Sequence, residues 1–312
     1  MVSTVGWAGP PERHPSSLPR MTQPSDAAAP TRAEPALFAG LVDDAAVFPP
    51  GLAPLPDAVR EHRAHRESWY AEMVGPLLVP ASSAAELVEL VPASAEPLRV
   101  GLIARPGTPL HVVTDALHLL RNHPQVEVAA VELGWTPEWR DVELGDVTRV
   151  LEVPRGDDQA RALDDIATEA GREPDGRLLA KFRTGATPSW DWPDEHELAA
   201  FLHSAVARDL PFKLTGGLHH VVRGTHTVHG HSEEQHGLLN VLLAVHAAAQ
   251  GGEPGSLADL LGQRDSAPLA RSVAELTPTA CTRVRSLLTA YGCCGVTDPI
   301  TELSALHLVE ES

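Results

Sequence analysis

Lysine is nearly missing from this chain. Of the 24 strong bases in 312 residues only Lys181 and Lys213 are lysine, and all the rest are arginine. Cysteine is scarce as well. Cys281, Cys293 and Cys294 are too few for a disulfide framework, and the adjacent Cys293-Cys294 pair lacks the C-x-x-C spacing of a metal or redox motif. They read as small core residues in a reducing, cytoplasmic setting. Aromatic residues make up only 4%, so a core must be built from Leu, Val and Ala. There is no apolar run of 18 residues, which argues against a membrane span. Residues 1–33 lack an apolar h-region, which argues against a secretory signal. Positive charge is short overall: a net charge of −18 with scattered arginines leaves no footprint for neutralising phosphates, so nucleic acid is not an expected partner.

What is present is an alternation of short apolar runs with amphipathic stretches from residue 36 onward. Expected strands are Leu37–Val42, Val74–Val79, Arg99–Ala104, Val126–Leu133, Val147–Val153, Leu178–Arg183 and Leu210–Thr215. Expected helices lie near 56–72, 83–91, 109–122, 157–170, 194–208 and 232–249, with capping boxes at Ser83-x-x-Glu86, Asp194-x-x-Glu197 and Ser232-x-x-Gln235. Such alternation implies a parallel sheet. Its length suits a (β/α)₈ TIM-barrel-like α/β fold over 36–312 as one domain, behind a disordered arm at 1–35 rich in Pro, Ser and Ala. The eighth strand is the open point, with the tail Tyr291–Leu308 as its source. Met21 is an alternative start. No G-x-G-x-x-G follows the first strand, which disfavours a doubly wound dinucleotide fold.

The two lysines occupy matching contexts, Lys181-Phe182-Arg183-Thr184-Gly185 and Lys213-Leu214-Thr215-Gly216-Gly217. Arginine keeps its proton in a protein, whereas lysine can be tuned to lose it, so a retained lysine is a candidate for chemistry. Alternation along a strand places Lys181 and Arg183 inside the barrel with Phe182 outside, and likewise Lys213 and Thr215 inside with Phe212 and Leu214 outside. Both lysines then lie near the C-terminal ends of adjacent strands, where barrel active sites form. Two close ammonium groups favour the neutral form of one, and a neutral lysine can attack a carbonyl as a Schiff-base nucleophile. Glu132, inside an apolar strand, needs a cationic partner and is read as a proton carrier or counter-ion. Asp44, at the end of the first strand, is the expected inward aspartate. Arg183, Thr184, Thr215, Gly216, Gly217, Arg105 and Arg223 complete the expected substrate-binding set.

These two patches resemble the class I aldolase barrels of the deoxyribose-phosphate aldolase type, which carry a lysine on strand six before a small-residue turn and a second on strand seven before Gly-Gly. The resemblance implies amine catalysis at Lys181, with Lys213 lowering its pKa. Arg183 departs from that pattern, standing where those enzymes have a small polar residue. Over most of its length the chain also resembles a family of bacterial proteins with no assigned activity, through Asp44-Ala45-Ala46-Val47-Phe48-Pro49-Pro50, Phe212-Lys213, Gly217-Leu218-His219-His220 and His236-Gly237-Leu238-Leu239-Asn240.

Histidines concentrate between His219 and His236. His219 and His220 directly follow the Gly216-Gly217 turn and are expected general acids or bases near neutral pH. His229-x-His231 is a conceivable ligand pair, yet no H-E-x-x-H or other zinc spacing is present, so the expectation is no cofactor, with a divalent metal as the lesser alternative. The sequence thus favours a lyase, aldolase-like or isomerase enzyme acting on a small anionic carbonyl or sugar-acid substrate. A metal-dependent hydrolase using the His219–His236 region and a non-catalytic anion-binding barrel are the alternatives. A homo-oligomer is open, with Trp135–Trp139 and Trp190–Trp192 as surfaces.

Overall fold

A computed structural model describes residues 1, 32–105, 107–173, 176–187, 190–228 and 231–310. Most of the expected N-terminal arm (2–31) and His229 lie outside the described residues. The strands are β1 (Val42–Asp44), β2 (Val74–Pro80), β3 (Leu98–Ile103), β4 (Val126–Gly134), β5 (Thr148–Glu152), β6 (Leu178–Arg183), β7 (Phe212–Thr215), β8 (Gly224–Val228), β9 (His231–Gln235) and β10 (Leu288–Cys293). β1 to β7 and β10 close an eight-stranded barrel in the order β1-β10-β7-β6-β5-β4-β3-β2. Every pairing in it is parallel. This is a (β/α)₈ TIM-barrel-like fold, closed by a strand from the C-terminal region.

The first crossovers are α1 (Leu55–Arg66), α2 (Ala84–Leu90) and α3 (Leu110–Arg121). Between β4 and β5 the chain makes only a single turn of 3₁₀ helix, Trp139–Asp141. α4 (Gln159–Ala170) and α5 (Glu195–Ala207) follow β5 and β6. The Asp194 box forms as expected: its carboxylate accepts from the Glu197 backbone N–H. Ser83 makes no side-chain cap.

The connection from β7 to β10 is the long one. It begins with an antiparallel hairpin, β8–β9, and continues through α6 (Leu238–Ala249), α7 (Pro254–Leu261), α8 (Ser266–Ala274) and α9 (Pro278–Leu287). α10 (Thr297–Ala305) closes the fold after β10. Two expectations are corrected here. Ser232 to Gln235 do not start a helix, because Ser232, Glu233, Glu234 and Gln235 pair across the hairpin with Thr227, His226, Thr225 and Gly224. The helix begins only at Leu238. The first strand is Val42–Asp44 rather than Leu37–Val42, since Pro35–Leu37 forms a 3₁₀ turn with Pro35 in its opening position.

α6 is apolar on nearly every side, as a helix must be when it packs among α5, α7, α8 and α9. On the outside of the barrel Phe182 stacks on Phe201 of α5 with centroids 4.6 Å apart, and Phe212 meets the same ring edge-on at 5.3 Å. That wedge fixes which faces of β6 and β7 look outward. The lysines on alternate positions are thereby turned inward. Small residues at several inward positions, Gly101, Ala130, Ala290 and Gly292, leave room for long polar side chains in the barrel interior. Leu78 fills part of it, so that a Cβ on Gly101 would approach Leu78 Cδ2 to 2.6 Å.

Candidate functional site

Register aligns the strands so that Lys181 lies beside Lys213 on one side and Glu152 on the other, and Arg183 lies beside Thr215. From these positions the inward side chains make a continuous chain of alternating charge. Lys213 Nζ donates to Asp43 Oδ2 and to Glu132 Oε1, each at 2.5 Å. Lys181 Nζ lies 2.8 Å from Glu132 Oε2 and 2.8 Å from Glu152 Oε2. Arg183 closes the row through Nε to Glu152 Oε1 at 2.9 Å. The sequence Asp43–Lys213–Glu132–Lys181–Glu152–Arg183 therefore carries three negative and three positive groups. Its deep end is dry: Lys181 and Lys213 are each 4% exposed and Glu132 1%. Its outer end, Arg183 and Glu152, is partly open to solvent.

The electrostatics differ from the expectation of mutual depression between two lysines. Burial alone favours the neutral amine, but the flanking carboxylates outweigh it and raise both lysines above their ordinary value: Glu132 and Glu152 for Lys181, Asp43 and Glu132 for Lys213. Burial likewise opposes ionisation of Glu132, yet the two ammonium groups bring its carboxyl down to about 2. Glu152 is brought down to about 2 against burial by Lys181 and Arg183. Asp43 moves the other way, because burial exceeds the attraction of Lys213. The resting site thus holds two ammonium groups.

The inward aspartate is Asp43, not Asp44. With β1 starting at Val42, alternation turns Asp43 to Lys213 and sends Asp44 outward, where Oδ2 meets His62 Nδ1 of α1 at 3.0 Å and Oδ1 accepts from the Ala46 backbone. Room for Asp43 depends on Gly75, where any Cβ would come within 2.0 Å of Asp43 Oδ1. Sequence reasoning chose Asp44 over its neighbour Asp43 and missed Glu152. Glu152 carried the same signal as Glu132, a carboxylate within an apolar strand.

Thr184 and the Gly216-Gly217 turn join the rims of β6 and β7: Thr184 Oγ1 donates to the Gly216 carbonyl. Gly217 has φ +80°, and a Cβ there would meet Trp192 at 2.7 Å. Other expected residues lie away from the ion chain. Arg105 is exposed, with its guanidinium over the Phe48 ring at 5.7 Å. Arg223 is buried at the base of the hairpin, paired with Glu195 at 2.8 Å and with His236 Nδ1 at 3.0 Å. Burial and that arginine hold His236 down at about 4, so it is neutral. His219 and His220 reach α10, to Asp298 at 2.8 Å and Glu302 at 2.6 Å. Among the described residues, no group of three or more His, Cys, Asp or Glu is placed to hold a metal ion.

A cavity of about 420 Å³ lies at the opposite, N-terminal rim, between α1 and the starts of β2 and β3. The ion chain, not that cavity, marks the candidate site, because barrel chemistry gathers at the C-terminal ends of strands. No family model matches this chain, and no curated protein shows significant similarity to it.

Proposed function

We propose that the chain is a lyase of the aldolase type that acts on a small anionic carbonyl compound through the amine of Lys181. One observation carries this reading: the only two lysines of the chain sit on adjacent barrel strands and share one buried carboxylate, Glu132. Burying that many charges costs stability that apolar residues of similar volume would spare. All other strong bases of the chain are arginine, and its two lysines stand at these two inward positions.

Lys181 must lose a proton before it can attack. Glu152 is the acceptor nearest the mouth, and Arg183 suppresses its basicity. An anionic group on the substrate draws Arg183 away from Glu152, and the freed carboxylate then takes the proton from Lys181 Nζ. The neutral amine attacks the carbonyl carbon, a C–N bond forms, the carbonyl oxygen leaves as water, and the resulting iminium withdraws the electron pair of the adjacent C–C or C–H bond. Glu132, ionised at rest and bridging both lysines, takes the proton released as that bond breaks and returns it to the enamine, after which water hydrolyses the iminium to free the product and Lys181. Lys213 keeps Glu132 ionised and Asp43 holds Lys213 in place.

Turnover of a panel of hydroxy-keto acids and aldehyde phosphates by native protein and Lys181→Arg tests this. Loss of more than about 1,000-fold with an unchanged circular dichroism spectrum is expected, because a guanidinium cannot lose its proton. Retained turnover would contradict it. The raised lysine pKa values favour a second reading, in which ammonium Lys181 donates a hydrogen bond to an enolate oxygen without a covalent bond. That reading predicts turnover with no trappable adduct.

A further inference from the structure

A second constellation lies on the same rim, one strand further round from Thr215, which pairs with Gly292 of β10. Cys294 follows β10, His219 follows the Gly216-Gly217 turn, and Asp298 stands in the first turn of α10. His219 Nε2 is 3.3 Å from Cys294 Sγ, and His219 Nδ1 is 2.8 Å from Asp298 Oδ2. We propose that Cys294, His219 and Asp298 form a thiol nucleophile, base and orienting carboxylate that accept an acyl group from an activated ester or thioester.

The roles follow from the geometry. A nucleophile in contact with a base whose other nitrogen is held by a third group is the arrangement that activates a weak nucleophile. Nδ1–H donated to Asp298 leaves Nε2 facing the sulfur. Burial works against a charged His219, but its hydrogen bonds to Asp298 and to the Cys293 and Cys294 sulfurs together exceed it and raise its pKa, so that an imidazolium stands beside Cys294 Sγ. The start of α10, two residues beyond Gly295, adds its positive end. Cys293 is also near, 3.7 Å from His219 Nδ1, but it is fully buried, donates to the Gly295 carbonyl, and burial raises its pKa. Cys294 is half-buried and is the accessible thiol of the pair. Its other wall is the Phe48–Gly51 turn, where a Cβ on Gly51 would come within 3.0 Å of Cys294 Cβ. Asp44, beside Cys293 in register, is engaged by His62.

The step balances without an added oxidant. The Cys294 thiolate attacks the acyl carbon and a C–S bond forms. The bond from that carbon to the leaving oxygen or sulfur breaks, and the departing group takes the proton held at His219 Nε2. Water then cleaves the thioester, with His219 removing its proton, to give a carboxylic acid and the free thiol. Nothing in this sequence uses Lys181, so its failure and that of the lysine chemistry are separable.

The full chain is incubated with p-nitrophenyl acetate at pH 6.5, release of nitrophenol is followed, and the acetylated residue is mapped by peptide mass spectrometry. One acetyl group on Cys294 is expected, formed on the order of 100-fold slower in His219→Gln. Asp298→Asn, altered at a half-exposed position that folding tolerates, is expected to show a smaller loss, and Cys294→Ser none of the burst. Acetylation of Cys294 that is no faster than that of Cys281, or that is unchanged in both His219→Gln and Asp298→Asn, would overturn the proposal.

Discussion

Lys213 answers to two carboxylates and Glu132 to two lysines, so neither can be removed without leaving two buried partners short of a counter-charge. Lys213→Met is expected to destabilise the fold by about 3–5 kcal/mol, measured by urea unfolding, because Asp43 and Glu132 lose their common partner in a dry interior. A loss below about 1 kcal/mol would mean that water reaches the pair. Glu132 also sets a pH dependence. Its carboxyl lies near 2 in the folded chain and in the ordinary range when unfolded, so between those values the unfolded state binds more protons. Its contribution is full above the ordinary carboxylate range and is lost as pH falls toward 2. Acid titration followed by circular dichroism should show unfolding begin in that window, and Glu132→Gln should shift or flatten the transition. At this scale the sequence disclosed Lys181, Lys213 and Glu132, because a charge in an apolar strand is conspicuous. Asp43 was hidden by a one-residue parity: two adjacent aspartates offer either face, and only the true start of β1 decides between them.

Among elements, β6 was fully legible, with Leu178–Arg183 read at its observed bounds, because both faces carry a clear pattern. The hairpin was not. Ser232-x-x-Gln235 has the letters of a capping box, yet residues 231–235 pair with 224–228, and a local side-chain cap yields to a ladder of backbone hydrogen bonds. The closing strand, Leu288–Cys293, takes only Tyr291–Cys293 from the expected tail Tyr291–Leu308, where α10 follows instead. The wedge of Phe182, Phe201 and Phe212 holds β6 and β7 in the orientation the site needs. Phe201→Ala should cost about 3–5 kcal/mol in thermal or urea unfolding. If instead it left stability unchanged, the orientation of the lysine strands would need another source. Gly217→Ala should destabilise as well, since it combines a left-handed φ with a contact of 2.7 Å to Trp192, and proteolysis of the rim would report it.

For the whole molecule, the net charge of −18 sits on a scaffold whose interior ion chain is balanced. Surface repulsion is screened by salt, whereas the buried pairs feel it little. Raising sodium chloride from about 0.02 to about 0.3 M should therefore raise the melting temperature, the span over which the screening length drops below the spacing of surface charges. A fall would show that exposed ion pairs outweigh the repulsion. No helix among the described residues is long and apolar enough to cross a membrane. The barrel itself was readable from the count of strand–helix units, but its function was not, because the same scaffold hosts many chemistries and only the side chains at its mouth distinguish them. The most direct test of the central claim is borohydride reduction of the full chain in the presence of pyruvate, acetaldehyde and glyceraldehyde 3-phosphate, followed by intact and peptide mass analysis. A reduced adduct on Lys181, absent in Lys181→Arg, is predicted. No adduct with any of the three, or one confined to Lys213, would contradict Lys181 as the reacting amine.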